Sequence, residues 1–245
     1  MTTTRLLDRL DPGPVLAVQH SRKVNFDPRE VDDSWHHDTA RTVLGTEAPG
    51  PPEPEGVWRT ACRLVEAYEF ADPRIIRAVF GAEAPLQDRD MLLEGRFAAL
   101  RFYFGVRVTD VIDEERPRDG DRSAQDRIWG WAYETLEGHL ERGRMSYEVV
   151  KHQDSGVVEL VIKAYSQGAP SLGVVTALGW RVFGRRTQLR FYRMCGRRLA
   201  RQVAAHVGEA QPVPARRIVD GLVLAPSDAD RSWWHRASIR RHQPS

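Results

Sequence analysis

The chain has 245 residues, 41% of them hydrophobic, with 36 Lys and Arg against 34 Asp and Glu for a net charge of +2. That length is ample for one domain with its own core and short for two full-sized ones, and seven Trp, eight Phe and six Tyr exclude wholesale disorder. The near-neutral balance argues against a dedicated nucleic-acid binder, and no run approaches the ~20 apolar residues of a spanning helix.

Residues 1–56 read as a flexible N-terminal arm. It carries Val15-Leu-Ala-Val18 as a possible short strand and ends in the proline-rich stretch Glu47–Gly56. With Asp8 and Asp11 where a signal peptide would place apolar residues, the expected location is cytoplasmic, and Cys62 and Cys195 are expected as reduced core thiols. His36-His37-Asp38, with Asp32 and Asp33, are metal-ligand types, but nothing periodic surrounds them to hold geometry. No metal and no cofactor is expected.

From Val57 onward, alternate apolar residues predict strands. Trp58, Cys62, Leu64, Tyr68 and Phe70 share one parity, which also carries Glu66. Asp72-Pro73 reads as a cap followed by a helix over 74–80, ended by Gly81, with a second helix or turn over 87–100. Phe104, Val106, Val108 and Ile112 form the next parity, which carries Asp110. Three further strands show Trp129, Trp131, Tyr133 and Thr135, then Met145, Tyr147 and Val149, then Val158, Leu160, Ile162 and Ala164. Short turn segments separate them, so an antiparallel meander with one buried face is expected.

The longest helix is expected over 171–207. Leu178, Val182, Leu189, Tyr192, Leu199 and Val203 lie on one face and Arg186, Arg190, Arg193, Arg197 and Arg201 on another. Residues 208–245 form a tail rich in Arg, with Trp233-Trp234. A curved antiparallel sheet wrapped on a long C-terminal helix is the α+β helix-grip architecture, assigned here to 57–207.

The segment from Trp129 to Gly143 resembles the signature of the domain-of-unknown-function family numbered 1990. The resemblance rests on Tyr133, Thr135, Leu136, Gly138, His139, Glu141 and Gly143, with partial matches at Ala164-Tyr165-Ser166 and at Gln188 with its following Arg and aromatics. It covers roughly 57–205. It implies membership of the polyketide-cyclase and pollen-allergen-like helix-grip superfamily and supplies no function by itself.

A helix-grip sheet commonly leaves a cavity against its helix. The expected occupant is a small, largely hydrophobic molecule held by Trp131, Tyr133, Thr135, Tyr147, Ser166, Gln188 and Tyr192. The alternative is a cyclase- or hydratase-like enzyme using Glu66, Asp110 or His139 for proton transfer. Against that stand two bland readings. A β-bulge would turn Glu66 or Asp110 to solvent, and His139 with Glu141 would hydrogen-bond and fix the hairpin loop. The arginine stripe reads as a solvated face or, with Trp180, Phe183 and Phe191, as a contact for an anionic membrane surface.

Overall fold

The computed structural model describes residues 12–97, 100–118, 121–139, 141–168, 185–208, 217–229 and 239–242. In chain order the helices are α1 (Pro12–Gln19), α2 (Val57–Glu66) and α3 (Arg185–His206). The strands are β1 (His36–Thr46), β2 (Ile76–Gly81), β3 (Asp90–Phe97), β4 (Leu100–Arg118), β5 (Asp121–Thr135), β6 (Glu141–His152), β7 (Val157–Gly168), β8 (Arg217–Val219), β9 (Leu222–Ala225) and β10 (Ile239–His242). The sheet runs β1-β7-β6-β5-β4-β3-β2-β9-β8, curved and unclosed, and its described pairings are antiparallel except that β10 lies parallel to β4. The helices α2 and α3 pack on one face, α3 chiefly over β1 and α2 over β5 and β6. This is the expected α+β helix-grip arrangement.

The parities of β5, β6 and β7 hold. Trp131, Tyr133, Thr135, Tyr147, Val149, Val158, Leu160, Ile162 and Ala164 are buried on the inner face. On the outer face Ile128, Val150 and Val161 make a small separate cluster with Ile112. Ile112 therefore departs from the expected grouping with Val106 and Val108. The register of β4 on β5 slips between Val108 and Asp110, and one extra residue exchanges the faces beyond it.

Residues 57–66 are a helix, not the expected strand. Val57, Ala61 and Val65, which strand parity would send to solvent, are buried beside Trp58 and Leu64. Pairs four apart satisfy both periods in so short a run, and only the intervening residues separate the two readings. The cap at Asp72 is real, since its Oδ1 accepts from Arg74 N at 2.9 Å, but it closes a single turn. The expected helix over 74–80 is replaced by β2, and that over 87–100 by β3, because cross-strand pairing of Ile76–Phe80 with Met91–Gly95 overrides the local signal. Val15–Val18 lies in α1, not in a strand.

The stretch expected as a flexible arm supplies the edge strand β1, paired with β7 from His36↔Ser166 to Thr46↔Val157. The apolar run at 218–225 is the β8–β9 hairpin, paired to β2. In α3, Tyr192, Leu199 and Val203 are buried as expected together with Phe191 and Cys195, whereas Leu189 is exposed. Leu178, Val182, Trp180, Phe183 and Trp233-Trp234 lie outside the described residues. At the crossing of α3 over β1, a Cβ on Gly196 would collide with the Thr42 side chain, so this glycine sets how closely helix and strand approach.

Candidate functional site

The inner face between β5, β6, α2 and α3 is aromatic. Ring centroids lie 5.0 Å apart for Trp131–Tyr147, 4.5 Å for Phe70–Tyr147 and 4.9 Å for Tyr68–Phe70. The two buried indoles of this face are spoken for: Trp131 Nε1 donates to Val65 O at 3.2 Å and Trp58 Nε1 to Val149 O at 3.1 Å. These bonds fix α2 across the strands.

Tyr68 sits where α2 ends. Its N–H donates to Val65 O at 3.1 Å, and Glu69 N donates to Leu64 O at 2.9 Å, the paired pattern of a Schellman motif. That motif needs a left-handed residue, usually Gly, and here Tyr68 adopts φ +61°. A side chain in this region costs roughly 1–2 kcal/mol. The ring is completely buried, and among the described residues no group hydrogen-bonds its hydroxyl. The neighbouring Tyr147 hydroxyl is turned to Met145 instead. Backbone strain and an unsatisfied buried hydroxyl thus coincide at one residue.

Two other phenols lie beside it. The hydroxyls of Tyr133 and Tyr147 converge on Met145 Sδ, at 3.5 and 2.9 Å. Burial raises all three phenol pKa values, and the negative charge each neighbouring phenol would acquire on ionising raises those of Tyr68 and Tyr147 further. All three therefore remain O–H donors across the physiological range. Cys195 also stays protonated, its thiol pushed up by burial, and neither Cys195 nor Cys62 is in a disulfide.

A polar strip borders the aromatic patch at the open ends of β1 and β7. Gln188 Nε2 donates to Ser166 Oγ at 3.2 Å, and Tyr192 Oη donates to Asp38 Oδ2 at 3.3 Å. The expected ligand residues Ser166, Gln188 and Tyr192 are thereby brought together, with Asp38 added. Thr135 is committed to the backbone. Its Oγ1 accepts from Gly143 N at 2.9 Å and hydrogen-bonds Asn25 Oδ1, tying the N-terminal segment to the hairpin. His36-His37-Asp38 is not a mobile polar arm. It opens β1, whose alternation turns His37 towards Tyr165 and Asp38 towards α3.

The expected proton-transfer residues do not meet in this patch. Glu66 ends α2 half-buried, instead of pointing inward from a strand. Asp110, beyond the bulge, is exposed and pairs with Arg144 Nη1 at 2.6 Å. His139 is buried in the β5–β6 loop, its ring against Phe104 and its Nδ1 accepting from Glu141 N at 2.9 Å. That bond is the loop-fixing one.

Buried charged groups outside the expected set include Glu69 and the Lys151–Glu47 pair. Glu69 is 2% exposed, and its carboxylate accepts from Ser227 N at 2.9 and 3.0 Å and from Ser227 Oγ at 3.1 Å. Burial raises its pKa to about 7, despite these bonds and the nearby Arg198. Strand parity would have put Glu69 outside. Lys151, 0% exposed, donates to Glu47 Oε2 at 2.6 Å and to Pro51 O at 3.0 Å, while Glu47 Oε1 accepts from Trp58 N at 2.7 Å. Glu47 thus caps α2 from outside the helix, since Gly56 at the N-cap has no side chain to do so. Lys151 follows the inward parity of Tyr147 and Val149, the one local signal for it.

On α3 the side chains of Arg190, Arg193, Arg197 and Arg201 are exposed, and Phe191, expected to assist a surface contact, is in the core. The side chain of Arg186 lies outside the described residues. Among the described residues, no helix is long and apolar enough to cross a membrane and no group of His, Cys, Asp and Glu could hold a metal ion.

A family model described as "Domain of unknown function (DUF1990)" matches residues 20–198. No curated protein matches the chain. Solved structures similar to it include the ZhuI aromatase/cyclase of Streptomyces sp. R1128, at 16% identity and TM-score 0.45, covering 73% of this chain and 99% of that one. TTHA0849 of Thermus thermophilus is 11% identical with TM-score 0.42, over 69% and 98% of the two chains. Human STARD10 is 10% identical with TM-score 0.33, over 78% and 82%.

Proposed function

The chain belongs to the DUF1990 family, and from that premise we propose that it binds a small, largely hydrophobic molecule between the inner sheet face and its helices. The observation that carries this reading is Tyr68. Strained backbone and an unpaired buried hydroxyl both reduce stability, and such features accumulate where a site is organised for a ligand. The surrounding Phe70, Trp131, Tyr133 and Tyr147 offer flat apolar contact area with a few oriented hydroxyls, the composition of small-molecule sites. Ser166, Gln188 and Tyr192 form the polar border of the same face. A cytoplasmic location, with Cys62 and Cys195 as free core thiols, belongs to this reading.

Native mass spectrometry of the purified protein tests it. The expected result is a discrete non-covalent adduct that is lost on unfolding. Adduct-free protein whose tryptophan fluorescence is also unchanged by a panel of aromatic compounds would refute it. An enzymatic role draws less support, because Asp110 and His139 are committed to other partners and Glu66 ends α2 half-buried instead of pointing inward from a strand.

A second reading concerns α3, where Arg190, Arg193, Arg197 and Arg201 form an exposed stripe with the exposed Leu189 beside it. This surface suits an anionic membrane. Sedimentation with phosphatidylserine vesicles, but not with phosphatidylcholine vesicles, is expected. Equal sedimentation with both excludes this use of the stripe.

A further inference from the structure

The polar groups of the aromatic patch are unbalanced. Tyr68, Tyr133 and Tyr147 bring three O–H donors, all held protonated by burial. The last two turn their hydroxyls to a thioether, a weak acceptor, and the Tyr68 hydroxyl, with the Tyr147 phenol beside it, meets no hydrogen-bond partner in good geometry among the described residues. A buried donor left without a good acceptor costs roughly 1–3 kcal/mol. Met145 is the one member of this group that is only partly buried. It is unbranched and easily repacked, so it covers the phenols without being locked there.

Resting on the binding reading above, we infer that the ligand carries a carbonyl-class acceptor oxygen, which displaces Met145 Sδ and accepts hydrogen bonds from the phenols of Tyr133, Tyr147 and Tyr68. Met145 then acts as a stopper whose sulfur holds the place of that oxygen in the empty protein. A ligand whose polar end is only a donor, such as an ammonium, would leave the excess of donors uncorrected and is disfavoured. A simple hydrocarbon would cover the donors without pairing them.

Two probes of nearly the same shape test this, 2-acetonaphthone and 2-isopropenylnaphthalene, with binding followed by titration calorimetry on the full chain. The ketone is expected to bind at least about tenfold more tightly than the hydrocarbon, as one to two added hydrogen bonds imply. In Tyr68→Phe and Tyr147→Phe, which keep the rings and the fold, that ratio should fall towards one while hydrocarbon binding persists. In Met145→Ala both probes should bind more tightly with the ratio retained. Equal binding of the two probes to wild type, or a ratio unchanged in both phenylalanine variants, overturns the acceptor inference and leaves a hydrophobic site standing. Binding of neither probe, even to Met145→Ala, counts against the binding reading itself.

Discussion

Replacing Tyr68 by Phe isolates the feature on which the site rests. The two side chains share a ring, so the contacts with Phe70 and Trp131, at centroid distances of 4.9 and 6.1 Å, are kept. Both residues would carry the same left-handed backbone at φ +61°, so that cost cancels between them. What remains is the hydroxyl. Burying a hydroxyl without a partner costs roughly 1–3 kcal/mol by mutational measures, so the variant should be more stable than wild type by about 1–2 kcal/mol. For a chain of this size each kcal/mol moves Tm by roughly 2–4 °C, which places the expected rise at roughly 2–8 °C. Urea unfolding followed by tryptophan fluorescence provides the check, on protein refolded from denaturant so that no co-purified molecule contributes. The midpoint should rise with an unchanged slope. A fall in stability of about 1 kcal/mol or more would show that the hydroxyl is paired in the folded chain, and the argument for a site at Tyr68 would fail.

Lys151→Met removes the ammonium from a fully buried pair and leaves the Glu47 carboxylate uncompensated, so a loss of about 3–5 kcal/mol is expected in the same unfolding assay. A loss below about 1 kcal/mol would mean that Glu47 is held by its backbone donors alone. Glu69 has a folded pKa of about 7, above the ordinary carboxylate value of 4.5. Its contribution is therefore complete below pH 4.5 and lost as pH rises through 7, by at most about 3 kcal/mol. Glu69→Gln, still facing Ser227, Arg198 and Asp228, should flatten stability between pH 5 and 8, a range of roughly three pH units, and an unaltered profile would refute the assignment. Gly138 has φ +86°, and a Cβ there would lie 2.6 Å from Arg22 Nη1, so Gly138→Val should destabilise by about 2 kcal/mol or more. His139→Ala should also lose about 1–3 kcal/mol through its bond to Glu141 N and its packing on Phe104; unchanged Tm would restore His139 as a functional rather than a loop-fixing group.

Legibility followed the range of the interactions. The inward facing of Trp131, Tyr133 and Tyr147 is legible in the sequence because strand alternation is a local geometric rule, and a neighbour two residues away reports it. Ser166 and Gln188 share the expected ligand set, but only the packing of α3 across β1, the neighbour of β7, brings them within 3.2 Å. Asp110 could not be assigned, because a bulge leaves no mark in the residue types and reverses every side chain beyond it. By parity Tyr68 reads as an ordinary core residue of a strand. A helix that ends on a left-handed tyrosine lacks the glycine that normally announces such an end.

The residues alone determined an antiparallel layer with one aromatic face and a helix to cover it, since burying apolar area on a pleated surface needs only the right period. Tertiary structure decided which polar groups the core would enclose. Glu47 reaches Lys151 across 104 positions, and Glu69 reaches Ser227 across 158. A buried charge or hydroxyl is tolerated or left wanting according to partners that the folded chain brings from far away, and no local pattern carries that information.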